Sequence, residues 1–213
     1  MIGERLSEHS LESPPPDCMS FFCAAVLFRI SKSREIEFAY VPYRRDRVGA
    51  LKRKFAGGVG HKSESPLGIV KREVEEELGV ELDEDKFHFV FATSPVYDQN
   101  HKKIFFVVPA EIEKPLRDTP YDAETGIPEW KPAGWLKENL FGVHKEMFPM
   151  AIDFLLKYFI EHRNLEGLLA AVKGGLLKKV PEEIKSALFE RAREDRDFAA
   201  ANAPILEALA GEP

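Results

Sequence analysis

Apolar residues fall into two regimes along this chain, with strand-like runs in the first half and helical spacing in the second. Phe21 to Ile30 is aliphatic and aromatic except for Arg29, which predicts a central strand. Glu35 to Tyr40 alternates, which predicts its hairpin partner across the polar turn Ser31 to Arg34. Phe87 to Thr93 and Lys103 to Ala110 predict two more strands, and a short apolar strand is expected near Trp135. Between the hairpin and Phe87, Ser65-Pro66 opens a predicted helix that Gly79 ends. The glycines at 57, 58 and 60 read as a loop leading into that helix. The stretch Glu113 to Pro132 holds four prolines and reads as loop. Lys145 to His162 has apolar residues on two sides of a predicted helix. From Leu165 onward the period is helical, with breaks expected at Gly174-Gly175 and Val180-Pro181. Strands and helices in this mixed order predict an α/β fold, a mixed sheet between helices, followed by a helical C-terminal extension.

Composition narrows the class. The 213 residues are 44% apolar and include 16 Phe, enough for a buried core and too much for a disordered chain. The expected division is a polar arm over 1–17 ending in three prolines, a catalytic-sized domain over 18–163, and an extension over 164–213. The longest apolar run, Phe21 to Phe28, falls short of the roughly 18 residues a membrane span requires. Glu4, Arg5 and Glu8 stand where a signal peptide would be apolar. Two cysteines, Cys18 and Cys23, supply neither a disulfide scaffold nor a zinc site, so a cytoplasmic location is expected, with no membrane partner.

Charge becomes informative once it is located. The net charge is -6. Arg44 to Lys54 reads as a basic loop with six basic side chains against Asp46, a local +5, while Glu64 to Val80 carries five acids against Lys71 and Arg72, a local -3. The basic segment is suited to steering or clamping a phosphate or carboxylate, with Arg44 and Arg53 as candidates. The region after Leu165 holds seven basic and nine acidic residues, a poor composition for reading a nucleic-acid polymer, and none is expected as partner.

Glu73, Glu76 and Glu77 lie at i, i+3 and i+4 and share one face of the predicted helix. Like charges so spaced repel, and a cation turns that cost into a binding site. Carboxylates without His or thiolate select a hard ion, Mg²⁺ or Mn²⁺. The segment Gly58 to Val80 fits G-x5-E-x7-R-E-U-x-E-E-x-G-U (U aliphatic) through Gly58, Glu64, Arg72, Glu73, Val74, Glu76, Glu77, Gly79 and Val80. At ordinary residue frequencies a chance match at a given start is on the order of one in 10⁸.

This segment resembles the Nudix box, and the chain resembles a Nudix hydrolase from about residue 20 to 163. The resemblance implies an α/β/α sandwich and divalent-metal-dependent cleavage of a nucleoside diphosphate linked to another moiety. It implies Glu73, Glu76, Glu77 and the Gly57 carbonyl as metal ligands. Gly58 and Glu64 would lie at the substrate, and Arg72 would orient Glu73 or pair with Glu64. Glu124 to Trp130 resembles the E-x4-E-W stretch of the 8-oxo-dGTP-cleaving branch, which makes Glu124, with Glu129 in reserve, a candidate near the attacking water. The proton acceptor is then Glu73 or Glu124.

Substrate tags conflict. Pro95, fifteen residues past Val80, resembles ADP-ribose hydrolases, whereas Tyr97, seventeen past it, resembles the dinucleoside polyphosphate class. ADP-ribose, nucleotide sugars, dinucleoside polyphosphates and NTPs stay open as substrate classes. A non-hydrolytic nucleotide or ADP-ribose sensor, with the C-terminal helices as output module, is the alternative. Those helices are also compatible with a homodimer.

Overall fold

The computed structural model describes residues 20–44, 50–61, 63–93, 101–109, 111–177 and 180–210. The arm 1–17, Cys18, Arg45 to Arg47, Pro95 and Tyr97 lie outside the described residues.

The first strand, β1 (Ser20–Ile30), is the axis of the sheet. It turns through Ser31 and Arg34 into β2 (Ile36–Tyr43), and Arg34 takes a left-handed φ of 59° to close that turn. Next come β3 (Lys52–Lys54) and β4 (Ala56–His61), then helix α1 (Pro66–Leu78). A 3-10 turn at Glu84–Lys86 leads to β5 (His88–Thr93) and β6 (His101–Val108). After a long loop follow β7 (Glu129–Pro132), α2 (Ala133–Asn139), α3 (Gly142–Glu161), α4 (Leu165–Lys173), α5 (Glu182–Glu194) and α6 (Arg196–Ala210). The strand order is β3-β2-β1-β6-β5, with β4 on β1 and β7 on β2. β1 runs parallel to β6 and antiparallel to β4, so the sheet is mixed.

Side-chain alternation sorts the core into two layers. Phe21, Cys23, Ala25 and Leu27 of β1 are buried with Ile69, Val70, Val74 and Leu78, the apolar stripe of α1. On the opposite face Phe38 and Phe55 meet Phe148 of α3, with ring centroids 4.9 and 5.4 Å apart. Helices thus cover both faces: this is an α/β/α sandwich followed by further helices.

The chain divides into two compact units, one comprising Met1–Arg29 and Glu37–Ala151, the other Ile30–Ile36 and Ile152–Pro213. In the second, Arg34 donates to Asn202 Oδ1 at 2.5 Å, and α5 and α6 are separated at Asp195. Among the described residues no helix is long and apolar enough to cross a membrane.

Three local expectations are corrected. The glycines at 57, 58 and 60 lie in strand β4, not in a loop. Part of the basic segment, Lys52–Lys54, is strand β3, paired with Val41 to Tyr43. Trp135 lies on helix α2, and the strand expected there is β7, which pairs with Glu37 to Tyr40. The C-terminal break at Asp195 has no glycine or proline to announce it.

Candidate functional site

Local chemistry defines α1 sharply. Ser65 caps it by accepting from the Gly68 N–H at 3.0 Å, Pro66 takes the first turn, and Gly79 closes it at φ 72°. Its acids, Glu73 and Glu75 to Glu77, fall in the C-terminal half, where the helix dipole disfavours negative charge. That arrangement requires compensation from elsewhere in the fold.

β4 passes directly beneath the carboxylates. A side chain on Gly58 would collide with the Glu73 carboxylate, and one on Gly57 with the backbone of β1 at Cys23 and Ala24. The strand tolerates these approaches because it is glycine. Glu77 is only 5% exposed. One of its oxygens accepts from the Gly57 N–H at 2.9 Å and the other from Lys54 Nζ at 2.7 Å. Lys54 Nζ also donates to the Gly57 carbonyl at 2.6 Å. Burial pushes the Glu77 carboxyl above the usual range, opposed by Lys54 and the Gly57 N–H.

Arg72 organises the outer part. Its guanidinium reaches Glu73 at 2.9 Å, Glu76 at 2.8 Å and Glu64 at 4.0 Å. Both orientations considered for Arg72 from the sequence therefore occur together, and Glu76 is an additional partner. Burial raises the Glu73 carboxyl, against the pull of Arg72 and Lys54. Tyr121, not singled out from the sequence, has its phenol raised by burial and by the neighbouring Glu76 carboxylate, and Arg117 lies 5.5 Å from the Tyr121 ring centre. Arg117 also donates to the Glu76 carbonyl, and its backbone N–H to Leu78 O at 2.8 Å, so the proline-rich loop caps the end of α1.

The remaining candidates make other contacts. The Glu124 carbonyl accepts from the Arg44 N–H at 2.8 Å, which sets these residues side by side, with the Glu124 side chain exposed. Glu129 pairs with Lys131 at 2.9 Å, and burial together with the Glu129 charge pushes the Tyr40 phenol up to about 12. Arg53 and Lys54 illustrate strand alternation: Lys54, opposite Val41, turns to the α1 side. Arg53 instead stacks over Trp135, 5.2 Å from the ring centre.

Sequence could not single out Lys54 from its basic neighbours, because its burial against Glu77 arises from strand pairing. Beside it, His144 accepts from the Phe55 N–H at 3.3 Å and is pushed down to about 3 by burial and by the positive charges of Lys54 and Lys103.

Three carboxylates and a backbone carbonyl are the donor chemistry of a hard divalent ion. Among the described residues no three His, Cys, Asp or Glu side chains converge as a ready metal shell. The oxygens face the cationic groups of Lys54 and Arg72 instead. Those groups balance the charge of the carboxylates they meet.

Solved structures share this architecture. The Nudix domain of Shewanella oneidensis NrtR, complexed with ADP ribose, aligns with a TM-score of 0.53 at 16% identity, covering 70% of this chain and 99% of that one. A MutT/nudix family protein from Enterococcus faecalis aligns at 21% identity with a TM-score of 0.45, covering 58% of this chain and 48% of that one. The present chain thus spans about half the length of the Enterococcus protein. MutT from Aliivibrio salmonicida and Vibrio cholerae gives 17% identity, a TM-score of 0.47, and coverage of 65% and 98%. No family model and no curated protein matches the chain. The fold is the Nudix fold.

Proposed function

We propose that this Nudix-fold chain is a metal-dependent pyrophosphohydrolase, acting on a nucleoside diphosphate linked to another moiety. The single observation that carries this reading is the α1–β4 junction, where Glu73, Glu76, Glu77 and the Gly57 carbonyl gather around cationic groups. The ADP-ribose complex of the NrtR domain supports a nucleotide derivative as ligand.

A bound Mg²⁺ or Mn²⁺ would neutralise diphosphate charge and raise the acidity of the attacking water. Glu76, Glu77 and the Gly57 carbonyl would hold that ion. Glu73 is the preferred proton acceptor over Glu124, because burial raises its carboxyl in the direction a base near neutral pH requires. Arg72 holds Glu73 and Glu76 in place. Arg44, exposed beside Glu124, is the basic candidate for a distal phosphate or carboxylate. Arg53, stacked on Trp135, is better suited to a nucleotide's planar group than to a mobile phosphate clamp.

A second reading, binding without hydrolysis, is favoured by one observation: Lys54 and Arg72 already neutralise the acidic cluster. A panel of ADP-ribose, nucleotide sugars, diadenosine polyphosphates, NADH and (d)NTPs with Mg²⁺ or Mn²⁺ separates the two. Hydrolysis predicts phosphate-ester products from at least one class. Tight binding of ADP-ribose without products across the panel would establish the sensor.

A further inference from the structure

Lysine is rarely buried, and Lys54 is 8% exposed. Its ammonium lies 2.6 Å from the Gly57 carbonyl oxygen and 2.7 Å from Glu77 Oε1. The Gly57 N–H holds the other Glu77 oxygen at 2.9 Å, so the carboxylate is fixed beside the carbonyl. Tyr43 closes a further side, its ring centre 5.4 Å from the ammonium. The position is therefore shaped for one cation and already filled by one from the chain itself.

We infer that Lys54 is a tethered counter-cation competing with the divalent ion for the Gly57 carbonyl and Glu77, so that metal entry requires the ammonium to leave. The inference rests on the metal-dependent reading above. Mg²⁺ binds oxygens at about 2.0–2.1 Å and Mn²⁺ suits the same oxygen donors. Gly57 and Glu77 could hold such an ion only if the ammonium gave up its contacts to them. With Lys54 in place, Gly57 and Glu77 form the guarded part of the site, while Glu73 and Glu76, held by Arg72, form the accessible part. Lys54 thereby raises the metal concentration at which the full donor set assembles.

The test is Mn²⁺ binding to the full chain, read by electron paramagnetic resonance of free Mn²⁺ and by calorimetry, with no substrate present. Lys54→Met removes the competitor, and Lys54→Gln retains a hydrogen-bond donor without the charge in case the methionine variant does not fold. Lys71→Met removes an equal charge from α1 outside the Gly57–Glu77 contacts. Direct competition predicts Mn²⁺ affinity at least about tenfold tighter in the Lys54 variants, and less than about threefold tighter in Lys71→Met. Equal or weaker binding in folded Lys54 variants, with wild type binding Mn²⁺, overturns the inference and leaves the metal reading standing. An equal gain in Lys71→Met also overturns it, because net charge would then suffice. No Mn²⁺ binding by any folded variant overturns both.

Discussion

Helices α1 and α5 have the same length, 13 residues, and both are rich in glutamate, yet they use charge in opposite ways. α5 opens with Glu182 and Glu183, as the helix dipole favours, and sets Arg191 and Arg193 beside Glu190 and Glu194 in its last turn. Glu182 is 86% exposed, so solvent screens its pairing with the buried Lys185 from the acid's side. α1 places its acids toward the C-terminal end, turns one of them inward and balances them with Lys54 from another strand. One helix is charged for its own stability. The other carries a local cost that makes sense if its oxygens are kept for a ligand.

Exchanging charge for amide on each helix should separate these roles most strongly. Glu76→Gln is expected to lower turnover by at least about a hundredfold with folding preserved, since metal stabilisation of the transition state is worth several kcal/mol. Glu182→Gln should leave turnover unchanged. Circular dichroism alongside steady-state kinetics checks both, and equal effects would dissolve the contrast.

Stability gives the next largest effect. In metal-free protein, Lys54→Met leaves Glu77 buried without its cation, a change that costs roughly 3–5 kcal/mol in comparable pairs. Lys86→Met, losing a pair with Asp85 in which both side chains are exposed, should cost about 1 kcal/mol or less. Urea titrations measure the two directly.

Arg72 and Arg191 test the same contrast more gently. Both form surface pairs with side chains 41% and 53% exposed, so either alanine variant should lose less than about 1 kcal/mol. Only Arg72→Ala should also weaken catalysis, by roughly tenfold, through disordered Glu73 and Glu76.

Proton linkage should be subtler. The folded-state pKa of Glu73 is raised, mainly by burial. The penalty for keeping it ionised is present above that raised value and disappears as pH falls through it to the ordinary glutamate range. The melting temperature of metal-free wild type relative to Glu73→Gln should therefore rise on acidification across that window. A difference that falls instead would show that Glu73 is stabilised as an anion.

Much of this arrangement was legible before the fold. The acidic face, the Ser65 cap and the Gly79 stop are local patterns, and local patterns survive folding. β4 was not, because its glycines look like loop residues until the close approaches of Glu73 and β1 are seen. The strand expected near Trp135 lies just before it, at Glu129–Pro132, because a short apolar run has no period to distinguish strand from helix. Lys54 was hidden for a stronger reason. It contacts an acid 23 positions away, and only the β2–β3 pairing directs it to α1 rather than toward Trp135 like Arg53.

The central claim is that the α1 carboxylates hold a catalytic divalent ion at a diphosphate. The most direct measurement follows product release from ADP-ribose and the other diphosphate substrates by wild type and Glu76→Gln, with Mn²⁺ and with chelator. The account predicts cleavage that requires Mn²⁺ and collapses in the variant. Cleavage that persists with chelator, or equal rates in the two proteins, would contradict it.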